Sequence, residues 1–192
     1  MARAEQGKSD ADGARQKEFL AMAKQLAAMV PARTQAEFAQ NAVGPWHQIW
    51  GPTSFKGSGP VSLKLDPAMI YQVIAADGTY TNVGVYHLAG HEVVGLLKGA
   101  YKVEADQISL QFTKSSFLAQ KVPTGKSLSD LPKMADQGQL RLLTFPSFVP
   151  PVGIRGALHE VYSDADLRIT EGTQGGQAGR TLFILERTKS IQ

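Results

Sequence analysis

From Pro45 onward, apolar and polar residues alternate with a period of two, the signature of strands with one covered face. The clearest case is Gln107-Ile108-Ser109-Leu110-Gln111-Phe112-Thr113, which puts Ile108, Leu110 and Phe112 on one side. Comparable stretches lie at 46–50, 61–65, 69–75, 79–87, 92–98, 100–104, 139–145, 157–162, 166–170 and 181–188. Turn-forming pairs stand between them (Asp66-Pro67, Asp77-Gly78, Ala89-Gly90), as does a glycine-rich loop at 172–179. Such short gaps leave no room for parallel crossovers, so the strands must form an antiparallel meander. About eight to ten strands of this kind suit a barrel, because a flat sheet would leave long edges open.

Before Pro45 the period is helical. Phe19, Met22, Ala23, Leu26, Met29 and Val30 make one apolar stripe that ends at Pro31, opposite Lys17, Lys24 and Gln25. Thr34-Gln35-Ala36-Glu37 reads as a capping box that opens a second short helix, and Gly44-Pro45 stops it. A lid or brace on the core is the plain reading of these helices; the rival is an amphipathic segment touching a membrane surface. The predicted organisation is a disordered polar tail at 1–14, helices within 15–43 and a β-barrel over 44–190. The fold class is mainly β, an antiparallel barrel with one or two N-terminal helices packed at one end. Residues 119–138 are polar and rich in breakers, with one helical turn from Ser127. The proline-stiffened apolar stretch 146–156 reads as packing over a barrel end, or as a portal or a membrane-contacting tip.

Composition narrows the function classes. The 192 residues carry a formal charge of only +3, with basic residues scattered along the chain, unlike a dedicated nucleic-acid binder. The aromatic-basic neighbours Tyr101-Lys102 and Phe112-Thr113-Lys114 are isolated rather than serial, so they predict no stacking platform. There is no cysteine, which excludes disulfides, thiolate metal sites and a cysteine nucleophile. No apolar run reaches the roughly 18 residues of a transmembrane helix. The first residues, MARAEQGKSDADGARQK, lack the apolar core of a signal peptide, and Glu5, Asp10 and Asp12 argue against an intact transit peptide. The expectation is a chain that stays where it is made, as in a bacterial cytoplasm, or one already processed.

No catalytic constellation emerges. His87 and His91 are four apart but flank a turn, and no H-E-x-x-H occurs, so no metal site is expected. Gly57-Ser58-Gly59 is not a nucleophile elbow, and the loop from Gly172 to Thr181 has the wrong glycine spacing for phosphate, with Arg180 where lysine is needed. Asp164 and Asp166 could be imagined as an acid–base pair, but Arg168 beside them favours an ion pair that pins a turn. An enzyme working inside the barrel would need an inward polar group, for which His47, His159 and Glu104 are the candidates. No cofactor is expected. The bland alternative is a scaffold whose barrel is filled by its own side chains.

Two features at the chain's strand ends point further. Gly44-Pro45-Trp46 has the Gly-x-Trp form found at the entrance of lipocalin-like barrels. The last strand puts Phe183, Leu185 and Arg187 on one face, and stacking Arg187 over Trp46 where first and last strands meet would satisfy that arginine. The block Gly156-Ala157-Leu158-His159-Glu160-Val161-Tyr162-Ser163-Asp164-Ala165-Asp166-Leu167-Arg168-Ile169-Thr170-Glu171-Gly172, followed by Phe183-Ile184-Leu185-Glu186-Arg187, resembles the end of the plastid lipid-associated protein (PAP)/fibrillin family. That family's pattern is close to G-x-L-x-x-x-Y-x-D-x-D-L-R-I-x-R-G, a loop, then F-V-L-x-R. Ile70-Tyr71-Gln72-Val73-Ile74 is similar to its second-strand motif, and Trp46 through Ser54 to its W-x-L-x-Y-T-S opening. Departures are Glu171 in place of a basic residue, a longer loop after Gly172 and the opening strand's own sequence.

The resemblance implies a lipocalin-like barrel of plastoglobules or thylakoid membranes that binds, carries or stores lipids, quinones or carotenoids without catalysis. The family offers no agreed catalytic residues to carry over. By alternation alone, the residues expected to line a ligand cavity are Tyr71, Val83, Val85, Ile108, Leu110, Phe112 and Leu142. Trp46, Asp164, Asp166, Arg168 and Arg187 are assigned to structure. The expected partner is a hydrophobic small molecule or a lipid surface, with no nucleic acid.

Overall fold

A computed structural model describes residues 13–31, 34–51, 64–88, 91–146, 152–174 and 179–188. The tail at 1–12, the start of the 61–65 stretch, Gly57-Ser58-Gly59, the Ala89-Gly90 turn, the centres of the 146–156 and 172–179 loops and the last residues lie outside these.

Helix α1 spans Ala14–Ala28, starting slightly earlier than the polar tail predicted, and α2 spans Gln35–Ala42. Among the described residues nine strands follow: β1 Gly44–Trp50, β2 Lys64–Ile74, β3 Thr79–Leu88, β4 His91–Glu104, β5 Gln107–Leu118, β6 Leu142–Thr144, β7 Arg155–Ser163, β8 Leu167–Gln174 and β9 Thr181–Arg187. Between β5 and β6 lie a 3-10 turn at Leu128–Asp130 and helix α3, Leu131–Asp136. The protein is mainly β, and its strands close into an eight-strand antiparallel barrel. The ring runs β4-β3-β2-β1-β9-β8-β7-β5 and closes where β5 pairs back onto β4. Strand β6 shares an edge of β5 with β7 but at the other end, so Ser116–Leu118 pairs with β6 and Gln107–Gln111 with β7.

Two of the long strands are fusions of stretches that look separate in sequence. Bulges between Leu65 and Ile70 in β2, and opposite Lys98 and Gly99 between β4 and β5, shift the alternation without breaking the hydrogen-bonded ladder. Gly99 is needed at the second, because a Cβ there would sit 2.6 Å from the Gln111 carbonyl oxygen.

One apolar cluster draws on opposite walls of the ring: Trp46, Ile74, Tyr80, Ile108, Leu110, Phe112, Leu158 and Leu185. It is the barrel interior. Phe38 and Ala42 of α2 join it, so this helix stoppers the end where the 75–78, 104–107 and 163–167 turns lie. Thr34 and Glu37 form the reciprocal capping box of α2, which satisfies donors that a free helix start would leave open.

Two further clusters coat the outside. Helix α1 lies along the wall with Phe19, Leu20, Ala23 and Leu26 against Tyr162, Ile169 and Leu182, and Phe19 meets the edge of Trp50. Residues 119–140 cover β2 to β5, where Leu128 and Leu131 pack on Val83, Val85, Leu96 and Leu118. The expectation of a polar excursion with one turn understates this segment. Its Ser127 caps the 3-10 turn through Asp130, and Leu128, Leu131 and Met134 repeat at helical spacing beneath a polar surface.

Candidate functional site

The seam between first and last strands is set by β1 pairing with β9, which places Trp46 opposite Arg187. The Arg187 guanidinium lies 4.2 Å from the centre of the Trp46 ring. Its Nη1 and Nη2 donate to the carbonyls of Val43 and Asn41 at 2.9 and 2.8 Å, and its Nε to that of Ala165. Trp46 Nε1 donates to Ala42 O at 2.8 Å. One tryptophan and one arginine thus satisfy carbonyls that the end of α2 leaves without helical partners, and a cation suits that end of the helix dipole. Gly44 makes the arrangement possible: its φ is +132°, and a Cβ there would collide with Arg187 Nη1. Burial pulls the Arg187 pKa downward, and Asp166 opposes that shift.

Pairing across the ring separates the residues expected to line a ligand cavity. Ile108, Leu110 and Phe112 face inward. Tyr71, Val83, Val85 and Leu142 lie on the outer face, under the 119–140 segment, and so do not line the lumen. Strict alternation tells which residues share a face but not which face is inside, and here both faces of β2 to β5 are covered. The inner face of β2 is instead Ile70, Gln72 and Ile74, aligned through Asn82 and Tyr80 on β3. Space inside is well used. A Cβ on inward Gly95 would come within 2.6 Å of the Tyr86 ring, so the ring occupies the place of a side chain. Trp46, Ile108 and Leu185 have no exposed surface.

One charged pair interrupts this apolar interior. Arg168 is 0% exposed, and its Nε donates to Glu160 Oε2 at 3.2 Å. Nη1 and Nη2 of Arg168, Oε1 of Glu160, Oγ1 of Thr170 and Oε1 of Gln72 are buried with no protein partner among the described residues. Glu160 sits directly opposite Thr170, and Arg168 faces the same way two residues earlier along β8. A bulge between Glu160 and Tyr162 permits this, turning Tyr162 out beneath α1 while Glu160 stays in. The Arg168 charge reaches the opposite wall, where it offsets part of the upward pKa shift that burial gives Tyr80 and Tyr101.

Glu160, but not the fully buried Arg168, also lines an opening. A cleft of about 410 Å³ lies between the end of α1, the start of α2, the β4–β5 turn and β7. Its apolar wall includes Ala27, Val30, Pro31 and Phe38; its polar residues are Gln35, Asp106, Glu160 and Ser163, with Tyr162 at its side. Its volume falls within the range of small-molecule sites. Met29, which caps the end of α1 and precedes the lining residue Val30, is 81% exposed.

The remaining candidates have other partners. Asp164 holds the β7–β8 turn by accepting from the Asp166 and Leu167 amides at 2.8 and 2.7 Å and from the Tyr162 hydroxyl at 2.8 Å. The expected Asp164–Asp166–Arg168 ion pair is therefore corrected: the turn is pinned by Asp164 hydrogen bonds, and Arg168 pairs with Glu160. His47 faces outward, where its ring contacts Glu186 and the Ala68 carbonyl and lies against Tyr71. His159 pairs with Gln107 on that same outer face. Glu104 is exposed at the end of β4, and hydrogen bonds from Ser109 and Gln107 hold its pKa below the usual value. None of these three is the inward polar group that chemistry in the lumen would need. Glu160 is, and the sequence carried its signal as a lone acidic residue between Leu158 and Tyr162. Among the described residues no cluster of three or more His, Asp or Glu could hold a metal, and no helix is long and apolar enough to cross a membrane.

Comparison with family models and with curated proteins finds no match for this chain.

Proposed function

We propose that this protein binds a hydrophobic small molecule without catalysing its conversion, as a carrier or store for a lipid, quinone or carotenoid. A β-barrel is compatible with that role. The observation that carries the reading is the cleft of about 410 Å³ beside α2, with Ala27, Val30, Pro31 and Phe38 on its wall and Glu160 among its polar residues. At about 25 cal/mol per Å² of apolar surface covered, a chain seated there gains most of its affinity from burial. The similarity of the Gly156–Gly172 block to the PAP/fibrillin family supports the same class of ligand, and with it an association with plastoglobule or thylakoid lipid. In this reading the ligand sits in the cleft rather than along the barrel axis, since the inward residues pack on one another.

That packing also favours a second reading, a scaffold with a filled barrel whose outer surface is the working part. Native mass spectrometry with organic extraction, on protein from its own source, separates the two. The carrier reading expects a stoichiometric apolar compound that leaves on extraction. Protein that is bare, and that stays bare after incubation with lipid extract, would leave only the scaffold.

A further inference from the structure

We propose that the open edge of β6 pairs with the same edge of a second copy of this chain, joining two barrels into a weak symmetric dimer. Strand β6 ends the order of the sheet: among the described residues it pairs with β5 and with no other strand. Phe145 N donates to Ser115 O at 2.9 Å, and Ala119 N to Arg141 O at 2.8 Å. Arg141 and Phe145 are therefore bonded to β5, as is Leu143 midway between them, opposite Phe117. By the alternation of an antiparallel ladder, Leu142 and Thr144 then turn their N–H and C=O groups to the free side. Their neighbours stand in the open as well. Leu143 is 65% exposed and Phe145 37%, and Arg141 and Thr144 are exposed. Unpaired backbone beside large apolar side chains is a template for another strand.

The residues of this edge favour its own copy over an unrelated strand. Laid antiparallel to itself about Leu143, β6 sets Leu142 against Thr144 of the second copy, and Thr144 against its Leu142. Both pairs can exchange both backbone hydrogen bonds, because their groups already point outward. Centring on Thr144 would instead set Leu142 against Pro146, which has no N–H to give. Centring on Leu142 would set Thr144 against Leu140, whose side chain is committed to the outer wall. Centred on Leu143, the pairing brings the two Leu143 side chains together in the pair where side chains approach most closely. Arg141 then faces the Phe145 ring of the second copy, cation against aromatic face, and the two-fold axis repeats that contact. A strand of 3 residues falls short of the roughly 1,200–2,000 Å² of a stable interface, so the dimer is weak. Because both copies spend the same edge, the assembly closes at two and does not grow into a fibre.

Sedimentation of the full chain from about 10 µM to about 1 mM tests the pairing, a span suited to so small a contact. The weight-average mass is expected to climb from that of one chain towards that of two. Amide hydrogen exchange at Leu142 and Thr144 is expected to slow over the same span, by about twofold where half the chains are paired. Exchange at Leu143, already bonded within the chain, is expected to stay constant. In Leu143→Lys, and equally in Leu143→Glu, like charges meet at the centre of the pairing, and each variant alone is expected to stay monomeric. An equal mixture of the two variants is expected to associate, since opposite charges then face each other. Leu143 is largely exposed, so both variants should keep the parent's circular dichroism spectrum. The exchange pattern of the parent chain decides the matter even without them. A parent chain that stays monomeric, a mixture that stays monomeric, or exchange at Leu142 and Thr144 that ignores concentration overturns the proposal. So does association that both variants retain, which would place the contact elsewhere, as on exposed Met22 and Met29 of α1.

Discussion

Two arginines enter the barrel near its helix-covered end, and their surroundings differ sharply. Around Arg187 every direction is answered: three carbonyls accept its N–H groups and the Trp46 ring lies under its face. Around Arg168 one carboxylate oxygen accepts from Nε, while Nη1 and Nη2 are buried without a protein partner. Arg187 is also the more exposed of the two, so the arginine with more freedom to reach water has the better protein partners. A group that only holds the fold together tends to be satisfied by it, and a buried group left unmatched asks for an explanation in function. The seam is therefore read as structure, whereas the pair of Glu160 and Arg168 holds polar atoms that the described residues leave unmatched.

The comparison can be broken from either side. Glu160→Leu is expected to have the largest effect, about 3–5 kcal/mol of lost stability, because it strands a fully buried cation. Arg168→Ala should cost less, about 1–3 kcal/mol, since the orphaned Glu160 borders the cleft, where water can reach it. Arg187→Met should cost about 2–3 kcal/mol by freeing the α2 carbonyls and the Trp46 face. The smallest effect belongs to the double variant Glu160→Leu with Arg168→Met, expected within about 1 kcal/mol of the parent or above it, because replacing both partners of a buried pair removes the desolvation cost along with the attraction. Chemical denaturation of the four proteins checks the order. A double variant as unstable as Glu160→Leu alone would return the pair to a structural role.

Much of the fold was legible in the alternation, and the seam in two short motifs, because Gly44-Pro45-Trp46 and a terminal Arg187 on an apolar face have few other uses. The inside of the barrel was not. Tyr71, Val83 and Val85 look like lumen residues because they are apolar, yet they are apolar for the sake of residues 119–140 packing on the outer wall. Glycine would have been the better guide: Gly84, Gly95 and Gly99 share the inward face of β3 and β4, where a neighbour's side chain or backbone fills the space. The buried pair was hidden for another reason. Asp164, Asp166 and Arg168 sit at a two-residue spacing that suggests mutual pairing, but Arg168 finds Glu160 across the β7–β8 hairpin, a partner fixed by a bulge that sequence does not announce.

The central claim is that an apolar ligand seats in the cleft between α1, α2 and β7, beside Glu160. Methyl-resolved NMR of the chain during titration with dodecanol tests it most directly. The account predicts saturable shifts at Ala27, Val30 and Val161, which line the cleft, with Val83, Val85 and Leu142 on the outer wall unmoved. Shifts confined to the outer wall, or no saturable shift at the cleft methyls, would contradict it.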